Sequence, residues 1–256
     1  MAIDLTIEGG IATVTINRPE RKNAILLAMR LDIEAAFQKC QDDDEVRVII
    51  LTGAGSDFSA GADVGEMGGG GIRGSLYRMR HMHRMSRAIA NTNKPVISAV
   101  EGVCIGMCWA MALSTDIIVA AENARFQFAF RHIGLAPDGG AAYLLSRHVP
   151  IQRAKEIMYS GRFVSGTEAH QLGLALYSTP PGEALAKARE LASSFVNAPT
   201  IAIGMAKRQF EAAPAQNFDQ ALDFEANIQP LMVQTEDFRE GTTAFKEKRK
   251  SAFVGN

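Results

Sequence analysis

The first half of the chain alternates short apolar runs with helical patterns, and this alternation limits the fold more than any other feature. Residues 46–51, 95–100 and 116–121 are nearly continuous apolar stretches of strand length. Strands covered on both faces read this way, and they belong to parallel sheets flanked by helices. Between them, residues 25–40 place Leu26, Met29, Ile33, Phe37 and Cys40 at spacings of three and four, one apolar face of a helix. A second helix is predicted over roughly 74–91. Near the start, Leu5-Thr6-Ile7, Glu8-Gly9-Gly10 and Ile11-Ala12-Thr13-Val14-Thr15-Ile16 predict a hairpin with a glycine turn. The expected fold class is α/β with parallel pairing.

The second half changes character. Ser165-Gly166-Thr167-Glu168 predicts a capping box, and no strong strand candidate follows residues 174–178. From about residue 182 the pattern is helical, punctuated by Pro199 and Pro214. We place a boundary at 197/198, giving a core of residues 1–197 and a helical region of residues 198–256. A tail rich in Ala, Phe and Met is expected to pack on a neighbouring subunit. The run Gly68-Gly69-Gly70-Gly71 marks a flexible loop.

With 47% hydrophobic residues the chain has ample material for a packed core. Its 27 basic and 28 acidic side chains give no global electrostatic footprint for nucleic acid or an anionic membrane. No stretch approaches the roughly 20 apolar residues needed to span a bilayer. The first six residues lack the basic start and apolar stretch of a secretory signal, so the cytoplasm is the expected compartment. Three cysteines, Cys40, Cys104 and Cys108, make no disulfide framework and read as small buried side chains.

Two glycine-rich segments follow strand ends, where α/β sheets usually place their sites. They are Phe58-Ser59-Ala60-Gly61-Ala62-Asp63 and Glu101-Gly102-Val103-Cys104-Ile105-Gly106-Met107. They read either as tight turns or as two backbone segments whose N–H groups hold a developing oxyanion. Neither fits a nucleotide-binding fingerprint. In a third segment, Gly134-Leu135-Ala136-Pro137-Asp138-Gly139-Gly140, Asp138 reads either as a helix cap or as a base. His81 and His83 read as an exposed polar helix face flanked by Arg78, Arg80, Arg84 and Arg87. Their i, i+2 spacing points them apart, so no metal site is expected.

Six segments in order carry a resemblance. They are Asn17-Arg18-Pro19-Glu20-Arg21-Lys22-Asn23-Ala24, residues 58–63, Lys94-Pro95-Val96-Ile97-Ser98-Ala99-Val100-Glu101-Gly102, residues 116–121, residues 134–140 and Ala244-Phe245-Lys246-Glu247-Lys248-Arg249-Lys250. Together they resemble the crotonase superfamily, the enoyl-CoA hydratase/isomerase family. The resemblance implies a ββα spiral core followed by helices that trimerise, with trimers pairing into hexamers. It implies an acyl-CoA substrate, coenzyme A arriving as part of the thioester, and no permanently bound cofactor.

By the same resemblance, the backbone N–H groups of Ala62 and Met107 form the oxyanion hole. Residues Arg21, Lys22 and Ala24, with Ala60, Ala62 and Asp63, cradle CoA, and Phe245 and Lys248 reach it from an adjacent subunit. The two glutamates with which hydratases of this family activate water correspond to Ala110 and Phe130, which cannot move a proton. Isomerases of the family carry an aspartate at the position of Asp138. The resemblance therefore implies double-bond isomerisation with Asp138 as proton shuttle, in a pocket lined by Trp109, Phe126, Phe128 and Phe130. Three alternatives stand beside it: hydration, aryl-CoA dehalogenase or hydrolase chemistry with His83 as base and Asp138 as nucleophile, and acyl-CoA binding without catalysis.

Overall fold

A computed structural model describes residues 2–256; Met1, the first residue of the expected core, lies outside them. The hairpin forms as expected, with β1 (Ile3–Glu8) antiparallel to β2 (Ile11–Ile16). Then come helix α1 (Leu27–Asp42), β3 (Val48–Gly53), α2 (Gly71–Ala90), β4 (Val96–Val100), β5 (Val103–Ile105) and α3 (Met107–Leu113). The chain continues through β6 (Ile117–Ala121), β7 (Arg125–Gln127), α4 (Ala141–His148), α5 (Ile151–Ser160), β8 (Phe163–Ser165), α6 (Gly166–Gln171) and β9 (Tyr177–Thr179). Four longer helices finish it: α7 (Ala184–Val196), α8 (Thr200–Ala212), α9 (Phe218–Met232) and α10 (Glu236–Glu247). No described helix is long and apolar enough to cross a membrane.

The strands make a six-stranded sheet in the order β1-β2-β3-β4-β6-β9, parallel from β2 onward, and a three-stranded sheet β5-β7-β8. The large sheet explains the continuous apolar runs. In β3, Ile49 and Leu51 point into the main core, while Val48 and Ile50 point to the opposite face. That second face is closed by α7, whose Ala184, Ala188 and Ala192 stack at four-residue spacing on Val48, Ile50, Ile97, Ala99 and Val119. Small side chains let this helix lie close to the strands. Its start is held by the Glu101 carboxylate, which accepts from the amides of Gly182 (3.1 Å) and Ala184 (2.9 Å).

The helical tail is tied back to the sheet-bearing part. Arg47 donates to the carbonyls of Ala198 (2.6 Å) and Val254. Lys207 pairs with Asp116 at 2.8 Å, and Gly204 packs against the Asn93 carbonyl, where a Cβ would sit 2.4 Å away. Two local expectations change. The capping box at α6 is half formed: Ser165 Oγ accepts from the Glu168 amide, but the Glu168 carboxylate turns to Arg162 instead. Helix α2 begins inside the glycine run, at Gly71, with Gly68–Gly71 all at positive φ.

Candidate active site

The two glycine-rich turns run side by side. The Ser59 amide donates to the Val103 carbonyl (2.9 Å), and the Ile105 amide donates to the Ser59 carbonyl (3.0 Å). Contact is so close that a Cβ on Gly61, at φ 97°, would lie 2.9 Å from the Ile105 carbonyl oxygen. Ala62 directly follows Gly61 and Met107 lies two residues after Ile105, so both come to the same end of the two turns. Ala62 bridges Ile25, whose partners are Gly61 O and Asp63 N, so the Ala62 N–H points away from that bridge. Met107 opens α3, where an amide has no partner within the helix. Among the described residues neither amide meets a protein acceptor.

Ser59, quoted in the sequence motif without a role, holds this corner together. Fully buried, its hydroxyl donates to the Asn23 carbonyl (2.7 Å) and accepts from the Gly61 amide (3.2 Å) and the Cys108 thiol (3.0 Å). Burial pushes that thiol up to about 12. The loop of Arg21, Lys22 and Ala24 is fastened to the same corner. The Ala60 amide donates to the Lys22 carbonyl (2.8 Å), and buried Asn23 binds the carbonyls of Ala54 (2.9 Å) and Asp57 (2.6 Å). Asp63 directs its carboxylate inward, to Arg18 at 2.5 Å and the Gly65 amide at 2.9 Å. The Arg18 guanidinium holds it below the usual carboxylate range.

The open question about Asp138 is answered by the start of α4. Gly140 occupies the cap position, no side chain caps it, and the Asp138 main-chain carbonyl accepts from the Ala141 amide. The carboxylate does not cap the helix. Its Oδ1 is buried without a partner. Burial pushes this carboxyl up, opposed first by the charge of Arg30 and then by His83. The adjoining Gly139 marks where the turn sits: a Cβ there would be 3.5 Å from Ala110 Cβ, 3.6 Å from Met82 Sδ and 3.8 Å from Met107 Cα. Asp138 therefore lies beside the second turn and beside Ala110.

Positions 110 and 130 carry a buried methyl group and a buried phenyl ring, so no carboxylate stands at either. The aromatic residues form one stack, Trp109 on Phe128 (4.2 Å between centroids), Phe128 on Phe130 (5.9 Å), and Trp109 against Phe126 (5.3 Å). The histidines separate. His83 is exposed on α2, as expected, but His81 is buried against Tyr77, because it lies on the inward stripe of α2 with Met82, Met85 and Ile89. Phe245, 86% exposed, and Lys248 lie at the end of α10; Phe245 also lines an apolar cavity of about 690 Å³ between α8, α9 and α10.

Sequence reasoning missed Arg30, a buried guanidinium on α1 that donates through Nη1 to the Arg78 carbonyl at 3.2 Å. The signal was present. Arg30 lies four residues after Leu26 and three before Ile33, on the apolar stripe itself.

Residues 6–256 match the family described as "Enoyl-CoA hydratase/isomerase". The chain is 35% identical over 254 residues to 1,2-epoxyphenylacetyl-CoA isomerase of Escherichia coli K12, with 97% of both chains covered. It is 33% identical to a probable enoyl-CoA hydratase of Rhodobacter capsulatus, covering 97% of this chain and 96% of the relative. The fold superposes on a crystal structure of an enoyl-CoA hydratase from Polaromonas sp. JS666 with a TM-score of 0.94, at 28% identity over 99% of this chain and 100% of the other. Similarity of this extent, with relatives of both lyase and isomerase type, leads to one conclusion: the chain belongs to the enoyl-CoA hydratase/isomerase family of the crotonase superfamily and is an enzyme of that kind.

Proposed function

We propose that this enzyme moves a carbon–carbon double bond within an acyl-CoA thioester, with Asp138 as the proton shuttle. One observation carries the reading: a partly desolvated carboxylate with an unpartnered oxygen beside Met107, where the two hydratase glutamate positions hold Ala110 and Phe130. Bound with its carbonyl oxygen between the Ala62 and Met107 amides, the thioester loses a proton from its acyl chain to Asp138. The electron pair of that C–H bond enters the conjugated enolate, whose negative charge rests on the thioester oxygen. Each preorganised amide stabilises such charge by about 3 kcal/mol. Asp138 then returns the proton to a different carbon, and the double bond is displaced with no net change in atoms. Excluding water favours this outcome over hydration.

In this reading coenzyme A is part of the substrate and the chemistry uses no resident cofactor. Arg21, Lys22, Ala24 and Ala60 hold the CoA moiety, with Asp63 shaping the loop beside it. Residues 198–256 form the oligomerisation region of a homotrimer or hexamer, in which Phe245 and Lys248 meet CoA bound to the neighbouring protomer. Exposed Phe210, Phe218 and Leu231 in that region support this assignment. The cytoplasm, where acyl-CoA substrates are met, is the assigned compartment. The electrostatic reach of His83 to Asp138 supports one second reading, on a halogenated aryl-CoA thioester: Asp138 attacks the ring carbon, halide leaves, and His83 in its neutral form takes a proton from the water that hydrolyses the aryl ester.

The test is turnover of trans-3-enoyl-CoA and of trans-2-enoyl-CoA in water, followed by the conjugated thioester absorbance. Isomerisation that disappears in Asp138→Ala and survives His83→Gln is expected. Brisk hydration, or isomerisation persisting in Asp138→Ala, would overturn the reading. Loss of activity on aryl-CoA thioesters in His83→Gln would turn the assignment to the second one.

A further inference from the structure

Several charged side chains are buried in this fold, and most have an evident task. Lys94 donates to the carbonyls of Cys40 (2.6 Å) and Asp43 (2.5 Å) at the end of α1. Asp237 accepts from the amides of Val254 (2.7 Å) and Gly255 (2.9 Å). Arg30 differs. It makes one hydrogen bond, to the Arg78 carbonyl, and its Nε is buried without a partner. A guanidinium withdrawn from water this far is stable only beside a compensating charge.

Helix α2 shows where that charge is. Arg78, whose carbonyl holds Arg30, and Met82, on which the Asp138–Gly139 turn is seated, are four residues apart and share one helix face. The buried cation and the half-buried carboxylate thus lie over adjacent turns of the same face. One lacks an acceptor at Nε, the other a donor at Oδ1.

We propose that Arg30 is a positioning residue for Asp138, its fixed charge opposing the burial of the carboxylate and directing it at the acyl chain. This rests on the reading of Asp138 as the base. Other groups around the pair have lesser claims. From α2, Arg78 interacts with Arg30, His81 is buried nearby, and His83 acts on Asp138 from an exposed position. From α3, the Cys108 thiol stays neutral, raised to about 12 by burial. Before α2, Glu66 is engaged with the Leu27 amide at 2.6 Å. Arg30 is the strongest influence opposing burial at Asp138, ahead of His83.

The experiment uses full-length protein labelled with ¹³Cγ-aspartate, the Asp138 signal being identified by its loss in D138N. Its titration midpoint is compared in native protein, R30K, R30Q and R30M, with circular dichroism to verify folding. R30K keeps the charge; R30Q keeps a donor for the Arg78 carbonyl and loses the charge; R30M is a second neutral variant should R30Q not fold. In the neutral variants the midpoint should rise by about one pH unit or more, and in R30K by only a few tenths. The acid limb of kcat on trans-3-enoyl-CoA should move with it while KM stays within about twofold. An unmoved midpoint in a folded neutral variant overturns the proposal, as does an R30K shift equal to that of R30Q, which would make Arg30 a brace for α2. If the midpoint moves but D138A retains turnover, the charge pairing stands and the reaction assigned to Asp138 fails.

Discussion

Replacing Ser59 with alanine tests whether the corner joining the two turns sets the proposed oxyanion geometry. The substitution leaves the Asn23 carbonyl without its 2.7 Å donor and the Gly61 amide without its 3.2 Å acceptor, both in a fully buried setting. A buried group that loses its partner costs about 1–3 kcal/mol. The Cys108 sulfur also receives the Gly61 amide, so that loss falls at the low end of the range. We expect a total near 2–3 kcal/mol, a fall in Tm of about 5–10 °C for a chain of this size. Turnover should fall further than stability implies. Gly61 immediately precedes Ala62, and a loosened donor sacrifices part of the roughly 3 kcal/mol that a placed oxyanion amide supplies, so kcat should drop about tenfold or more. Cys108→Ala is the control: it spares the Asn23 and Gly61 bonds of Ser59 and should keep kcat within about threefold. Thermal melts at fixed protein concentration and the trans-3-enoyl-CoA assay read both effects. A Ser59→Ala protein with native kcat would refute the claim that this hydroxyl aligns the Ala62 amide, whatever its Tm.

Two further predictions concern the scaffold. Arg162 bonds Glu156 at 2.6 Å and Glu168 at 2.8 Å, joining α5 to α6, and it holds the Glu156 carboxyl below its usual 4.5. A depressed carboxyl stabilises the fold above its unfolded pKa and loses that contribution as pH falls through the folded value. Arg162→Gln should therefore cost up to about 1 kcal/mol at pH 7, given the partial exposure of all three side chains, and the deficit should shrink in melts run below pH 4.5. On the far side of the sheet, Ala188→Leu forces extra methylenes against Val48 and Ile97 and should cost about 1–3 kcal/mol. Ser193→Leu, on the exposed face of the same helix, should stay within about 0.5 kcal/mol; equal melting shifts for the two would refute the close packing of α7.

The parts of the fold that could be read in advance are those with a periodic signature. Strand β3 shows its two-sided burial as an unbroken apolar run, and α1 shows its inward face through Met29, Ile33 and Phe37. The short strands β5, β7 and β8 have three residues each, too few for any period, and their pairing follows from contacts across tens of residues. At the site, Asp138 was visible as a residue but its orientation was not, since proline, aspartate and glycine in series describe a cap as well as a base. The start of α4 excludes the side-chain cap, and the seat of Gly139 against Met82 and Met107 puts this residue beside the second turn; both are tertiary facts. His81 was misread for a related reason: arginines on both sides suggest water, yet a step of two residues, about 200° around an amphipathic helix, separates buried His81 from exposed His83. Glu168 went to Arg162 because a charged partner outcompetes a helix-cap amide.

Arg47 gives the folding of this chain a temporal order. One guanidinium holds the carbonyls of Ala198 and Val254, positions 151 and 207 residues further along the sequence. During synthesis the hairpin, α1 and β3 emerge long before either acceptor exists. The hydrophobic pairing of β2 with β3 can proceed, while Arg47 stays hydrated at the margin of the growing sheet. Its first acceptor follows α7 in the chain, and its second follows α10. Both bonds of this residue therefore depend on distant parts of the chain: they exist only where the helical tail has returned to the place where the sheet began.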